Sequence, residues 1–133
     1  MNGLVDPSDT QLREWAYNPD KFESNSQDVE LLVARLDRSA IILELAADDN
    51  CANRLFFLRC AYLIVGNAYR SRVSESKKLE LLAFVRKAEK TNNRCLLVFA
   101  QEAKALIEDS SSFTYQLWCE GELARRNFKA NAL

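Results

Sequence analysis

Three glycines and two prolines are all that punctuate the 133 residues of this chain. Sheets joined by tight turns draw on such residues at intervals of roughly 8–12 positions. Helices joined by short connections need far fewer, so this scarcity alone predicts an all-α fold. The length suits one domain with one core, and a chain 48% hydrophobic and 28% charged is composed like a globular protein rather than a disordered one.

Periodicity divides the single domain, 1–133, into three parts: a short helix and an irregular segment over 1–26, a helical core over 27–127, and a frayed tail over 128–133. Asp6-Pro7-Ser8 starts the first helix, with Ser8 and Gln11 spaced as a capping box, and Asn18-Pro19 stops it. The segment NPDKFESNS, 18–26, reads as irregular, with Phe22 pinning it to the core. A helix over 27–47 follows, its inward stripe running through Val29, Leu32, Val33, Leu36, Ala40, Leu43 and Ala47. Asp48-Asp49-Asn50 breaks it and opens a helix over about 50–70. Fourteen of the nineteen residues from 51 to 69 are apolar, which predicts a central helix surrounded by others. Ser74 or Ser76 caps a segment over 75–90, Thr91-Asn92-Asn93 separates it from one over 93–109, and Ser110-Ser111-Ser112 caps a last helix to about Asn127. Gly66 and Gly121 lie within these helices and predict close helix approaches, because glycine is otherwise a helix cost of about 1 kcal/mol. The result is five to six helices in stacked antiparallel hairpins, arranged as a short α-α superhelix or as a globular bundle.

The chain contains no histidine. That removes the usual general base, the Ser-His and Cys-His pairs and the commonest transition-metal ligand together. Cys51, Cys60, Cys95 and Cys119 show no CxxC pairing, predict neither a zinc site nor a disulfide framework, and read as small buried hydrophobes in a reducing cytoplasm. Isolated glycines cannot cradle a phosphate, so no nucleotide loop is present. Carboxylates survive this filter, with Glu102, Glu120 and Glu122 as candidates, although solvated helix surface explains them more simply. Cys119 has Glu120 beside it and no local cation, so its expected role is packing. No catalytic residue, metal or cofactor is predicted. The N-terminus has neither a basic nor an apolar signal region, and the charges within 51–69 argue against a membrane span.

Charge is unevenly spread. Residues 1–50 hold eleven acidic and four basic side chains, and residues 51–104 hold eleven basic and four acidic. Attraction between the two blocks inside the fold is the simpler expectation; a two-signed surface that selects a charged partner is the functional one. Arg70, Arg72, Lys77 and Lys78 form a basic row around the turn between two long segments, followed by Arg86, Lys87, Lys90 and Arg94. Clustered cations suggest phosphate binding, yet the sequence pI is near 5.6 and no RNA-binding signature accompanies them. Aromatics gather near the ends, as Trp15 and Tyr17, then Phe113, Tyr115 and Trp118. They either seal the core or form a binding patch, for which Trp15 is the expected exposed anchor.

The stretches LREWAYNPDKFE, Leu12 to Glu23, and FTYQLWCEGELARRNF, Phe113 to Phe128, together resemble small bacterial all-helical proteins of the armadillo or HEAT type. The resemblance implies a stacked-hairpin fold and a bacterial cytosolic setting, and no activity. The expectation is therefore a non-catalytic protein-protein interaction module, of an immunity or adaptor kind. Trp15, Tyr17, Asp20 and Glu23 would serve on an acidic side, and Arg70, Arg72, Lys77 and Lys78 on a basic one. The alternatives are a nucleic-acid-associated regulator using the basic row and an unrecognised carboxylate-dependent enzyme. A homodimer through a leftover apolar face is also open.

Overall fold

The capping box near the N-terminus closes in both directions. Ser8 Oγ accepts from the Gln11 backbone N–H at 3.1 Å, and the Gln11 side chain accepts from the Ser8 N–H at 2.8 Å. In this computed structural model, which describes residues 7–18, 30 and 32–132, the helix so started is α1, Asp9–Tyr17. A 3-10 turn, Leu36–Arg38, leads to α2, Ser39–Ala46. Then come α3, Arg54–Tyr69, α4, Glu75–Lys90, and α5, Arg94–Glu108. A second 3-10 turn, Ser110–Ser112, precedes α6, Tyr115–Trp118, and α7, Glu122–Asn131. The fold is all-α, with no strand among the described residues. Asp6, Val29 and the predicted irregular segment beyond Asn18, with Asp20, Phe22 and Glu23, lie outside the described residues.

Helix α3 is the central element that its apolarity predicts. It packs on α2, α5, α6 and α7, and its residues Phe57, Cys60, Ala61, Tyr62 and Val65 are fully buried. Tyr62 meets Phe99 of α5 edge-on at 4.9 Å and Trp118 of α6 at 5.3 Å, while Phe99 reaches Phe84 of α4 at 5.7 Å. Helices α2 with α3 and α4 with α5 pair as hairpins, and α7 returns against both α3 and α5. Helix α4 leans on α5 and α2 rather than on α3, its predecessor in the chain, which leaves a corner between α3 and α4.

Two expected helices are interrupted. The helix predicted over 27–47 is not continuous: Glu30, Leu32 and Val33 are helical, but Arg35 is extended at φ −131°, ψ 148° and α2 restarts only at Ser39. The interruption rephases the residues after it. Ala40, expected inward, is exposed, while Ile41, Ile42 and Leu45 are buried. Burying each such side chain contributes roughly 1.5–3 kcal/mol, more than the net value of each hydrogen bond forgone in one turn, about 0.5–1.5 kcal/mol. The last predicted helix is likewise divided, into the 3-10 turn, α6 and α7, which makes seven delimited α-helices among the described residues rather than five to six. Gly121 is the cause. Its φ of +80° lies in the left-handed region, so it ends one helix and caps the next instead of marking a close approach. Gly66 does mark one: a Cβ there would sit 2.9 Å from Cys119 Sγ and 3.0 Å from Trp118 Cβ. Helix α7 also extends into the tail expected to fray, with Asn131 donating to Asn127 Oδ1 at 3.0 Å.

Candidate partner-binding site

The corner between α3 and α4 is built by local chemistry. Helix α3 stops at Tyr69, residues 70–74 turn the chain, and Ser74 Oγ accepts from the Lys77 backbone N–H at 3.1 Å to start α4. This turn brings the predicted basic row together, but its members are not equivalent. Arg70 lies over the Tyr115 ring at 5.4 Å. Lys77 pairs with Glu80 at 3.2 Å and Lys78 with Glu75 at 3.3 Å, each within α4. Arg72 is exposed and forms no ion pair among the described residues.

Arg72 stands between two clefts. The first, of about 490 Å³, lies between the turn at Ala34–Asp37 and the end of α3, where Ile64, Asn67 and Ala68 face it, and Lys77 closes it. The second, of about 380 Å³, is lined by Tyr69, Val73, Lys78, Ser110 and Phe113. Ser71 and Arg72 line both, so the two clefts flank the connector. The wall of the first cleft is the Arg35 interruption that periodicity did not predict. Arg35 lines it while bound to Asp37 at 3.2 Å. Each cleft is lined by one residue with an unpartnered oxygen. Asn67 Oδ1 and the Tyr69 hydroxyl oxygen are buried without a hydrogen-bond partner, and burial raises the Tyr69 phenol.

The acidic side is not assembled in the same way. Trp15, expected as an exposed anchor, is half-buried and packs against the core, because α1 docks through the fully buried Leu12 and Ala16. Tyr17 is 45% exposed. It donates to Asp48, a bond that pushes its phenol up to about 12 and holds Asp48 below the usual carboxylate range. Asp20 and Glu23 lie outside the described residues. Trp118 is buried and Phe113 half-buried, so of the C-terminal aromatics only Tyr115 is exposed.

Part of the charge asymmetry is consumed inside the fold. Glu30, itself buried, pairs with Arg59, and Asp49 pairs with the buried Arg54 at 3.2 Å. Arg54 also donates from Nε to the Ala46 carbonyl at 2.9 Å, capping the end of α2, and lies over Phe128. Other pairs stay within the first third, Arg13 with Glu44 at 3.0 Å and Arg38 with Asp9 at 3.9 Å. A third cleft, of about 500 Å³ and lined by Asp49, Arg54, Asn93 and Arg94, thus has one of its two cations already neutralised.

The carboxylate candidates are engaged structurally. Tyr62 donates to Glu102 and accepts from Asn127 Nδ2 at 2.9 Å, and Asn127 Nδ2 also donates to the Cys95 carbonyl at 2.7 Å. This network joins α3, α5 and α7, and burial raises the Glu102 carboxyl. Glu122 pairs with Arg126 one turn along α7, and Glu120 is exposed. All four cysteines are free. Burial pushes each thiol up, Cys51 to about 11; at Cys119 the charge of Arg70 acts in the other direction without prevailing. Among the described residues no three Cys, Asp or Glu side chains are grouped to hold a metal ion, and no helix is long and apolar enough to cross a membrane. No protein-family model, curated protein or solved structure matches this chain, so its functional assignment rests on the residues of the corner themselves.

Proposed function

We propose that the chain is a non-catalytic protein-protein interaction module that engages its partner at the corner between α3 and α4. The observation that carries this reading is Arg72, an exposed cation without an ion pair among the described residues, standing between two clefts that it lines on both sides. A charge left unpaired beside concave surface is poised to meet a complementary one on another molecule. Packed helices hold such a surface rigid, so little ordering cost attaches to binding on this side. The concrete form is an immunity-type or adaptor protein, working in the bacterial cytoplasm, that blocks or recruits a single partner. The resemblance to armadillo-type and HEAT-type helical proteins is consistent with that role as an analogy of fold.

Nucleic-acid binding is the second reading, favoured by the same gathering of cations. Carboxylate-dependent catalysis has less support, since Glu102 faces a phenol and an amide rather than a second acid. Among the described residues homodimerisation has little apolar surface to use, because the large exposed hydrophobics Tyr17, Leu79, Leu97 and Tyr115 lie on four different helices. Affinity purification of the tagged protein from its native cell, with and without nuclease, tests the proposal when run beside the Arg72→Glu, Lys77→Glu double variant. The expected result is a stoichiometric protein that survives nuclease and is lost with the double variant. Nucleic acid in its place, or a partner indifferent to the double variant, would contradict it.

A further inference from the structure

Taking the corner as the partner-binding site, we infer that its occupant is an extended acidic segment of the partner, laid across the connector from one cleft to the other with a carboxylate on Arg72. The inference rests on the proposed interaction role and adds the chemistry of what is bound. Charge comes first. Arg72 is unpaired among the described residues, and Lys77 and Lys78, one in each cleft, are held only by exposed acids of their own helix. Such surface pairs are weak, about 0–1 kcal/mol, and exchange readily for an incoming carboxylate.

Shape comes second. Two clefts of about 490 and 380 Å³, one on each side of Arg72, together exceed what one small anion fills, which suits a stretch of chain. Polar character comes third. A peptide backbone presents a donor and an acceptor at each residue, whereas a phosphate at neutral pH presents mainly acceptors. The clefts carry both kinds of partner. Asn67 and Tyr69, one in the lining of each cleft, each hold an oxygen that has no hydrogen-bond partner in the free protein. Asp37 in the first cleft is already paired with Arg35 and can accept from a backbone N–H, which a segment of chain supplies and a phosphate does not. The corner's aromatics offer little ring face for stacking bases: among the described residues Tyr69 and Phe113 are half-buried, and Arg70 already lies over Tyr115.

The test is fluorescence anisotropy with the intact protein and three labelled probes: capped hexaglutamate, capped hexalysine and hexathymidylate. Hexaglutamate is expected to bind saturably, more weakly as salt rises, and tighter than hexathymidylate, while hexalysine does not bind at the corner. Arg72→Glu is expected to lower hexaglutamate affinity roughly tenfold or more. Asn67→Ala should lower it about threefold to tenfold, the value of one hydrogen bond. Asn67→Ala separates binding from structure. Its carbonyl has no partner in the free protein, so the variant should melt at or above the wild-type temperature, whereas a structural asparagine would lose stability. Tighter binding of hexathymidylate, or hexaglutamate binding unchanged by Arg72→Glu, overturns the inference. If hexaglutamate fails to bind while the Arg72→Glu, Lys77→Glu variant still loses its captured protein, the acidic-segment inference falls and the interaction reading stands; if the capture is also indifferent, both fall.

Discussion

Arg72 owes its availability to the commitments of its neighbours. Arg70 is spent on the Tyr115 ring, and Lys77 and Lys78 on acids one turn away, so one cation of the row is left to face outward. The row itself was legible in the sequence, because four cations at a turn are visible in one dimension. Which of them is free was not, because that depends on Tyr115, a residue far along the chain. The same distinction applies to the glycines. Both stand inside helical patterns, yet Gly66 admits Trp118 and Cys119 while Gly121 adopts φ +80°. Gly121→Ala should destabilise the protein by about 1–2 kcal/mol through the left-handed backbone alone. Gly66→Ala should cost roughly 1–3 kcal/mol by overpacking against Trp118. Urea unfolding of the two variants checks both. Tyr62→Phe strips Glu102 and Asn127 of a shared partner in the core, and a loss of about 1–3 kcal/mol is expected by the same measurement.

At the scale of elements, capping and composition carried furthest. Ser8 with Gln11, and Ser74, start the helices predicted for them, and Asn93, read from sequence only as part of a break, starts the next by accepting from the Leu96 N–H at 3.2 Å. These are interactions within three residues, so sequence suffices. The interruption at Arg35 depends instead on which face of 39–46 the core accepts, and that is decided by α3, a distant partner. Periodicity alone allowed Ala40 inward; three larger side chains won the place. The first cleft exists because of that outcome, so the sequence revealed the cations of the site but not its concave wall. The helices are further joined by the Tyr62, Glu102 and Asn127 network, which gives a pH signature. Burial is the main cause that raises the Glu102 carboxyl, with the Tyr62 hydrogen bond opposing it. A carboxyl raised on folding contributes stability that is full below its unfolded value, about 4.3, and lost as pH rises through the raised folded value. Glu102→Gln removes that contribution and keeps an acceptor for Tyr62. Melting curves should therefore show the variant gaining on the wild type as pH rises from about 4 to 7; a gap that stays constant would mean Glu102 titrates normally.

For the whole molecule, a net charge of −1 conceals two opposed blocks. Their mutual attraction is realised in Glu30 with Arg59 and Asp49 with Arg54, which fasten the first third of the chain onto the central helix. Removing one partner of the Glu30 pair, as in Arg59→Met, should destabilise by about 1–3 kcal/mol, because the buried Glu30 loses its hydrogen-bonded cation and its carboxyl, already raised by burial, is pushed up further. At the α3–α4 corner the pairs of Lys77 and Lys78 stay within α4 and Arg72 has none among the described residues, and the basic character left there is what an acidic partner would read. Amide hydrogen exchange of the protein, alone and bound to the protein it captures, tests that claim most directly. Protection concentrated on residues 64–78 and on the facing turn at 34–37 is the predicted result. Protection elsewhere, on α1 or the outer face of α5, with the corner exchanging as in the free protein, would contradict it.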